Sequence, residues 1–110
     1  MSANVVQWPG AEPATEAEIR RIFQSEGMQP YRWSNSPGDV YSPHEHTYHK
    51  VIYVVSGSIM FGLPHEGQAL LLHPGDRLDL PPGVVHDARV GPQGVVCLEA
   101  HRGQCGGSDE

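Results

Sequence analysis

From Lys50 onward the chain is a succession of short aliphatic and β-branched runs: KVIYVV, SIMFGL, QALLL, RLDL, VVHDARV and VVCLEA. None is long enough to sustain a helical period, and segments of this length must find their hydrogen-bond partners in neighbouring strands. The stretches between them, SG, PHEG, HPGD, PPG and GPQG, put Gly or Pro where a strand has to reverse. The pattern predicts an all-β fold, an antiparallel sandwich or barrel. One segment departs from it. In ATEAEIRRIFQSEG, Thr15 with Glu18 three residues later forms a capping-box signature, Ile19, Ile22 and Phe23 share one helical face, and Gly27 supplies a stop. The expected organisation is an N-terminal arm over 1–13, a helix over 14–27 that packs on the domain, a barrel over 28–102 and a flexible tail over 103–110.

Bulk properties narrow the function. A chain of 110 residues is one domain with a single core. A net charge of -6 and a pI near 5.5 exclude nucleic acid and anionic membrane as expected partners, since either requires clustered Lys and Arg. The central apolar run VIYVVSGSIMFGLPH is too short and too broken to span a bilayer. The N-terminal segment lacks a basic start followed by an apolar stretch, so a cytoplasmic location is expected. The two cysteines do not suggest a disulfide scaffold: Cys97, in a strand, is expected to be buried and reduced, and Cys105, in the polar tail, to be the reactive thiol.

The chemistry is concentrated in HEHTYHK, residues 44–50. His44 and His46 are two apart, so on an extended strand both imidazoles leave the same face. His86 follows the rigid turn LPPGVV. If the sheet brings the three together, they form a three-nitrogen metal site with open positions. Two residues are candidates for a fourth ligand. His49 is one residue out of phase and reaches the site only through a bulge. Glu99 joins His86 on one face, with Cys97, if GPQG is a four-residue hairpin loop that pairs Val90 with Val95, Ala88 with Cys97 and His86 with Glu99. The other reading of that segment has Val96 and Leu98 facing the core and Cys97 and Glu99 pointing elsewhere. Tyr48 and Tyr53 are placed to close a pocket or simply to pack. His65 and His73 read as turn residues and His101 as adjacent to the tail.

GDVYSPHEHTYHKVIYVVSG, with Gly38, His44, His46 and Gly57, resembles the first signature of the cupin superfamily. GDRLDLPPGVVH, with Gly75, Pro81, Gly83 and His86, is similar to the second. The flanking YRWSNSPGD and GVVCLEA resemble compact bacterial single-domain cupins. The resemblance implies an RmlC-like double-stranded β-helix, or jelly-roll barrel, with one N-terminal α-helix. It also implies one divalent transition metal per chain (Fe, Mn, Ni, Cu, Co or Zn) held by the histidines that His44, His46 and His86 match. Two positions depart from the family pattern: Lys50 stands where the family's metal-binding glutamate falls, and Val90 where the second signature ends in asparagine.

Lys50 is an awkward neighbour for a metal. An ammonium about 6 Å from a dication at an effective dielectric near 20 is opposed by roughly 5 kcal/mol. It must lose its proton, turn away or meet an anion. An anionic substrate facing Lys50 is one solution, and a lysine lying along the barrel mouth is the other. Three function classes follow. The first is a metal-dependent enzyme, a dioxygenase or other oxygenase or an isomerase, lyase or decarboxylase, acting on a small oxygenated, anionic molecule with Lys50 and Tyr48 as catalytic candidates. The second is a non-catalytic metal- or ligand-binding or sensor module, and the third a structural barrel. A homodimer is expected from the exposed strand edges of such a barrel.

Overall fold

The computed structural model describes residues 3–102. Residues 103–110, with Cys105 and the expected tail, lie outside the described residues. The β-rich runs form strands, in the order β1 (Asn4–Val6), helix α1 (Glu16–Ser25), β2 (Tyr31–Asn35), β3 (Val40–His44), β4 (His49–Leu63), β5 (Gln68–Leu72), β6 (Arg77–Leu80) and β7 (His86–Arg102). All pairings are antiparallel. β4 and β7 run side by side and are shared by two layers. The first half of β4 pairs with β6 and with the end of β7, while its second half pairs with β5 and with the start of β7. β1 extends β6, and β2 and β3 pair with the two halves of β7. The result is the double-stranded β-helix, a jelly-roll barrel with one helix among the described residues.

The sequence expectation that SG and GPQG reverse the chain is corrected here. Both lie inside long strands, where the β4–β7 register shifts between Val54 and Ser56 and again between Gly57 and Ile59. Gly57 and Gly94 both adopt φ of 75°, and a Cβ on Gly57 would lie 2.0 Å from the Gly94 carbonyl oxygen. A glycine bulge and a glycine turn require the same positive φ, so the local signal is identical, but here it bends each strand from one layer into the other. The hairpin register falls with it. Val90 pairs with Ile59, Val95 with Gly57, Ala88 with Phe61 and Tyr41, and His86 with His44.

Alternation along β4 and β7 builds two cores. Lys50 lies opposite His101, Ile52 opposite Glu99 and Val54 opposite Cys97. These side chains face the barrel interior, where Ile52, Val54, Ile59, Phe61, Leu78 and Cys97 pack. Val51 with Ala100 and Tyr53 with Leu98 face the other way, under Ile19 and Phe23 of α1. Both faces are therefore apolar, because the helix covers the outside of this layer. Of the reading in which Val96 and Leu98 face the core and Cys97 and Glu99 point elsewhere, Leu98 does face a core, the one under α1, but Cys97 and Glu99 face the barrel interior. Cys97 is buried in the interior, and burial pushes its thiol pKa up, as expected for an inert cysteine.

α1 starts with the expected box: the Glu18 N–H donates to Thr15 Oγ1 at 3.1 Å and the Thr15 N–H to Glu18 Oε1 at 2.8 Å. Its C-terminal end is tied to the sheet by ions. Arg77 donates to both Glu26 oxygens, at 2.7 and 3.1 Å, and to both Asp79 oxygens, at 2.9 and 3.2 Å. Among the described residues no helix is long and apolar enough to cross a membrane.

Candidate metal centre and barrel cavity

His44 ends β3 directly opposite His86, which opens β7. His46 is not on the same strand as expected; it follows β3 in the connection to β4. The rigid turn places it nevertheless, because the Gly83 N–H donates to the His46 carbonyl at 2.8 Å. The ring centroids of His44 and His86 are 4.3 Å apart, of His44 and His46 4.9 Å, and of His46 and His86 5.3 Å. One nitrogen from each of the three lies within 4.8 Å of the others.

The ring orientations suit ligation. His44 Nδ1 meets the Ser42 carbonyl at 2.8 Å and His86 Nδ1 the Val84 carbonyl at 2.9 Å. Since a carbonyl only accepts, each Nδ1 carries the proton and each Nε2 keeps its lone pair. Burial, followed by the neighbouring Lys50 and histidines, holds the His46 pKa down to about 4. Burial also lowers that of His86. Both are neutral at pH 7, the form a metal requires. His46 differs in one respect: Nδ1 meets the Tyr48 hydroxyl at 3.1 Å, and Nε2 accepts from Lys50 Nζ at 3.0 Å. The donor set fits a divalent transition ion once Lys50 releases the His46 lone pair.

Lys50 does not lie along the barrel mouth. Its side chain is 12% exposed and meets Glu99 Oε2 at 3.2 Å, so the anion that balances it belongs to the chain itself. Glu99 is 3% exposed. Its Oε1 accepts from Trp33 Nε1 at 3.0 Å, and its Oε2 also accepts from the Tyr31 hydroxyl. Glu99 therefore faces the interior beside His86, by the bulged strand and not by a hairpin, and stands behind Lys50, outside the three-histidine group. His49 points outward as its phase requires and meets Asp79 Oδ1 at 3.1 Å. His73 sits in a turn that its own N–H closes onto Asp76 at 2.9 Å.

Sequence reasoning passed over three residues. His101 is mostly buried, its ring 3.9 Å from that of Tyr48, with Nε2 3.7 Å from Glu99 Oε2 and no hydrogen-bond partner among the described residues. Tyr31 and Trp33 were legible only as an alternation in YRW, which sets both toward Glu99. With Tyr41, Lys50, Ile52, Phe61, His44 and His86 they enclose a cavity of about 240 Å³.

Comparison with known proteins agrees with this architecture. The family model described as Cupin domain (Cupin_2) matches residues 31–99. An RmlC-like cupin from Shewanella frigidimarina is 26% identical, with a TM-score of 0.58 over 67% of this chain and 64% of that one. The polyketide cyclase RemF from Streptomyces resistomycificus is 29% identical, with a TM-score of 0.59 over 67% of this chain and 54% of that one. In both, the matched part is less than two thirds of the other protein. KdgF from a Halomonas species is 24% identical, with a TM-score of 0.56 over 93% of this chain and 78% of that one, and shows likeness of fold. No curated protein matches the chain. The family match covers more than half of the sequence, and its boundaries enclose His44, His46, His86 and the Lys50–Glu99 pair: the chain belongs to the cupin family.

Proposed function

We propose that this cupin is a metal-dependent enzyme acting on a small oxygenated, anionic molecule, by an oxygenase or an isomerase, lyase or decarboxylase reaction. The observation that supports it best is the convergence of three imidazoles, two of which, His44 and His86, line a cavity of about 240 Å³. His44, His46 and His86 would hold the ion. The chemistry a bound divalent ion supplies is polarisation of an oxygen ligand. The remaining work falls to the chain. The Ser42 and Val84 carbonyls orient His44 and His86, and Tyr48 orients His46. Lys50, once it leaves His46, keeps Glu99 as its counter-ion and offers its freed N–H to a ligand oxygen. Ile52, Ile59 and Phe61 exclude water. RemF, an enzyme on a barrel of this kind, supports turnover over passive binding.

The test begins with elemental analysis of protein purified without added metal. About one transition-metal ion per chain is expected, lost in His86→Ala with the β-rich circular-dichroism spectrum retained. Oxygen uptake and product formation across small hydroxy acids and diketones then separate enzyme from binding module. A protein without metal, or full occupancy in His86→Ala, overturns the shared site.

A further inference from the structure

We infer that the barrel cavity takes a flat, apolar oxygen-donor ligand, of the class of aromatic hydroxy acids and enolised aryl diketones, in preference to a polyhydroxylated acid of similar size. The inference rests on the metal-site reading above and narrows its substrate. It is carried by the lining. One wall is aromatic: the Trp33 and Tyr41 rings meet edge to face at 6.5 Å, and Phe61 stands 6.4 Å from the His86 ring. Ile52, Ile59 and Ala88 complete an apolar surround.

The polar groups in this part of the cavity are already engaged with one another. Glu99 accepts from Trp33, Tyr31 and Lys50, and the Tyr41 hydroxyl donates to Asn35 Oδ1. Lys50 and Glu99 cancel as charges. The groups with lone pairs or protons to offer a ligand are grouped at one end, His44 and His86 through Nε2 and Lys50 through the N–H it now gives His46. A ligand that matches this arrangement carries its oxygens and its one or two negative charges at one end and an unsubstituted planar body at the other. A polyol would bring hydroxyls against Ile52, Ile59, Phe61 and Ala88, where each loses its water without gaining a partner. The volume, below that of drug-sized pockets, limits the body to about one ring.

The experiment is calorimetric titration of Zn2+-loaded protein with salicylate and with threonate, hydroxy monocarboxylates of nearly equal size. Salicylate is expected to bind at least tenfold tighter. Ala88→Leu, which fills the cavity with an apolar side chain, and Tyr41→Ala, which opens the aromatic wall at its exposed edge, should each weaken salicylate at least fivefold while zinc content stays at one per chain. Threonate binding as tightly as salicylate, or salicylate binding that neither variant weakens, overturns the inference while leaving the metal site standing. Failure of the protein to hold zinc overturns the metal reading instead. In that case salicylate preference in the metal-free protein, abolished by Ala88→Leu, would still support the cavity's class of ligand.

Discussion

Lys50 is the residue on which the site turns. A lysine in place of a metal-binding carboxylate would be expected to repel a cation, yet here it is buried against Glu99 and donates to the Nε2 that His46 would give a metal. The pair is a displaced version of the missing carboxylate: the negative charge is present, one strand away and masked. Replacing Lys50 by Met removes the competing donor from His46 and unmasks Glu99, so metal affinity should rise by about tenfold, the worth of one charge-assisted hydrogen bond. The same change leaves a carboxylate buried with only Tyr31 and Trp33 as donors, and should lower stability by about 3 kcal/mol. Adding Glu99→Gln should recover most of that stability and give back part of the affinity gain. Metal titrations and urea melts of the two variants and the parent check this; unchanged affinity in Lys50→Met would mean that the lysine does not guard His46.

At the scale of elements, α1 is held by its apolar face at one end and by the Glu26–Arg77–Asp79 ions at the other. Hydrogen bonding from Arg77 holds the Glu26 carboxyl below the usual range. Burial pushes Asp79 up, but hydrogen bonds from Arg77 and His49 outweigh it and leave that carboxyl lowered too. A carboxylate whose pKa is lower in the folded than in the unfolded chain contributes stability that is present above its unfolded pKa and lost as the pH falls through its folded one. Both groups act in this sense, so the tie between helix and sheet should weaken on acidification from about pH 5 to pH 3. Glu26→Gln should cost about 1 kcal/mol at pH 7, a modest figure because the Glu26 end is open to water. It should also flatten the pH dependence of the melting temperature in that window. Equal slopes for parent and variant would remove Glu26 from the account.

At the scale of the whole molecule, the outer face of the second layer is left bare. Leu71 of β5 lies opposite Met60 of β4, Met60 opposite Arg89 of β7, and Arg89 opposite Val40 of β3, which makes one stripe across four strands. Leu71 is 50% exposed, Met60 40% and Val40 64%. The helix covers the corresponding face of the other layer, and nothing among the described residues covers this one. A second copy is the partner expected there, since a stripe with itself as partner is self-complementary about a two-fold axis. Light scattering at micromolar concentration should give twice the chain mass, and Met60→Glu combined with Leu71→Glu should halve it. A monomeric parent would remove the dimer.

What the residues alone determined is what depends on short stretches of chain. The capping box at Thr15 and Glu18, the alternating runs of β4 and β7, the outward phase of His49 and the three candidate nitrogens were all legible, because turn chemistry and side-chain alternation are properties of a few consecutive φ and ψ angles. Tertiary structure decided the rest. Gly57 and Gly94 announce a positive φ, but whether that φ makes a turn or a bulge depends on which strand lies alongside. Both faces of the end of β7 are apolar because a helix from the other end of the sequence covers one of them, so alternation could not say which face was the barrel's. Lys50 and Glu99, far apart along the chain, become an ion pair only when β4 and β7 align. An isolated lysine in the sequence carries no mark of the carboxylate it will meet, since that contact is chosen by strand register and held by burial, neither of which exists before the barrel closes.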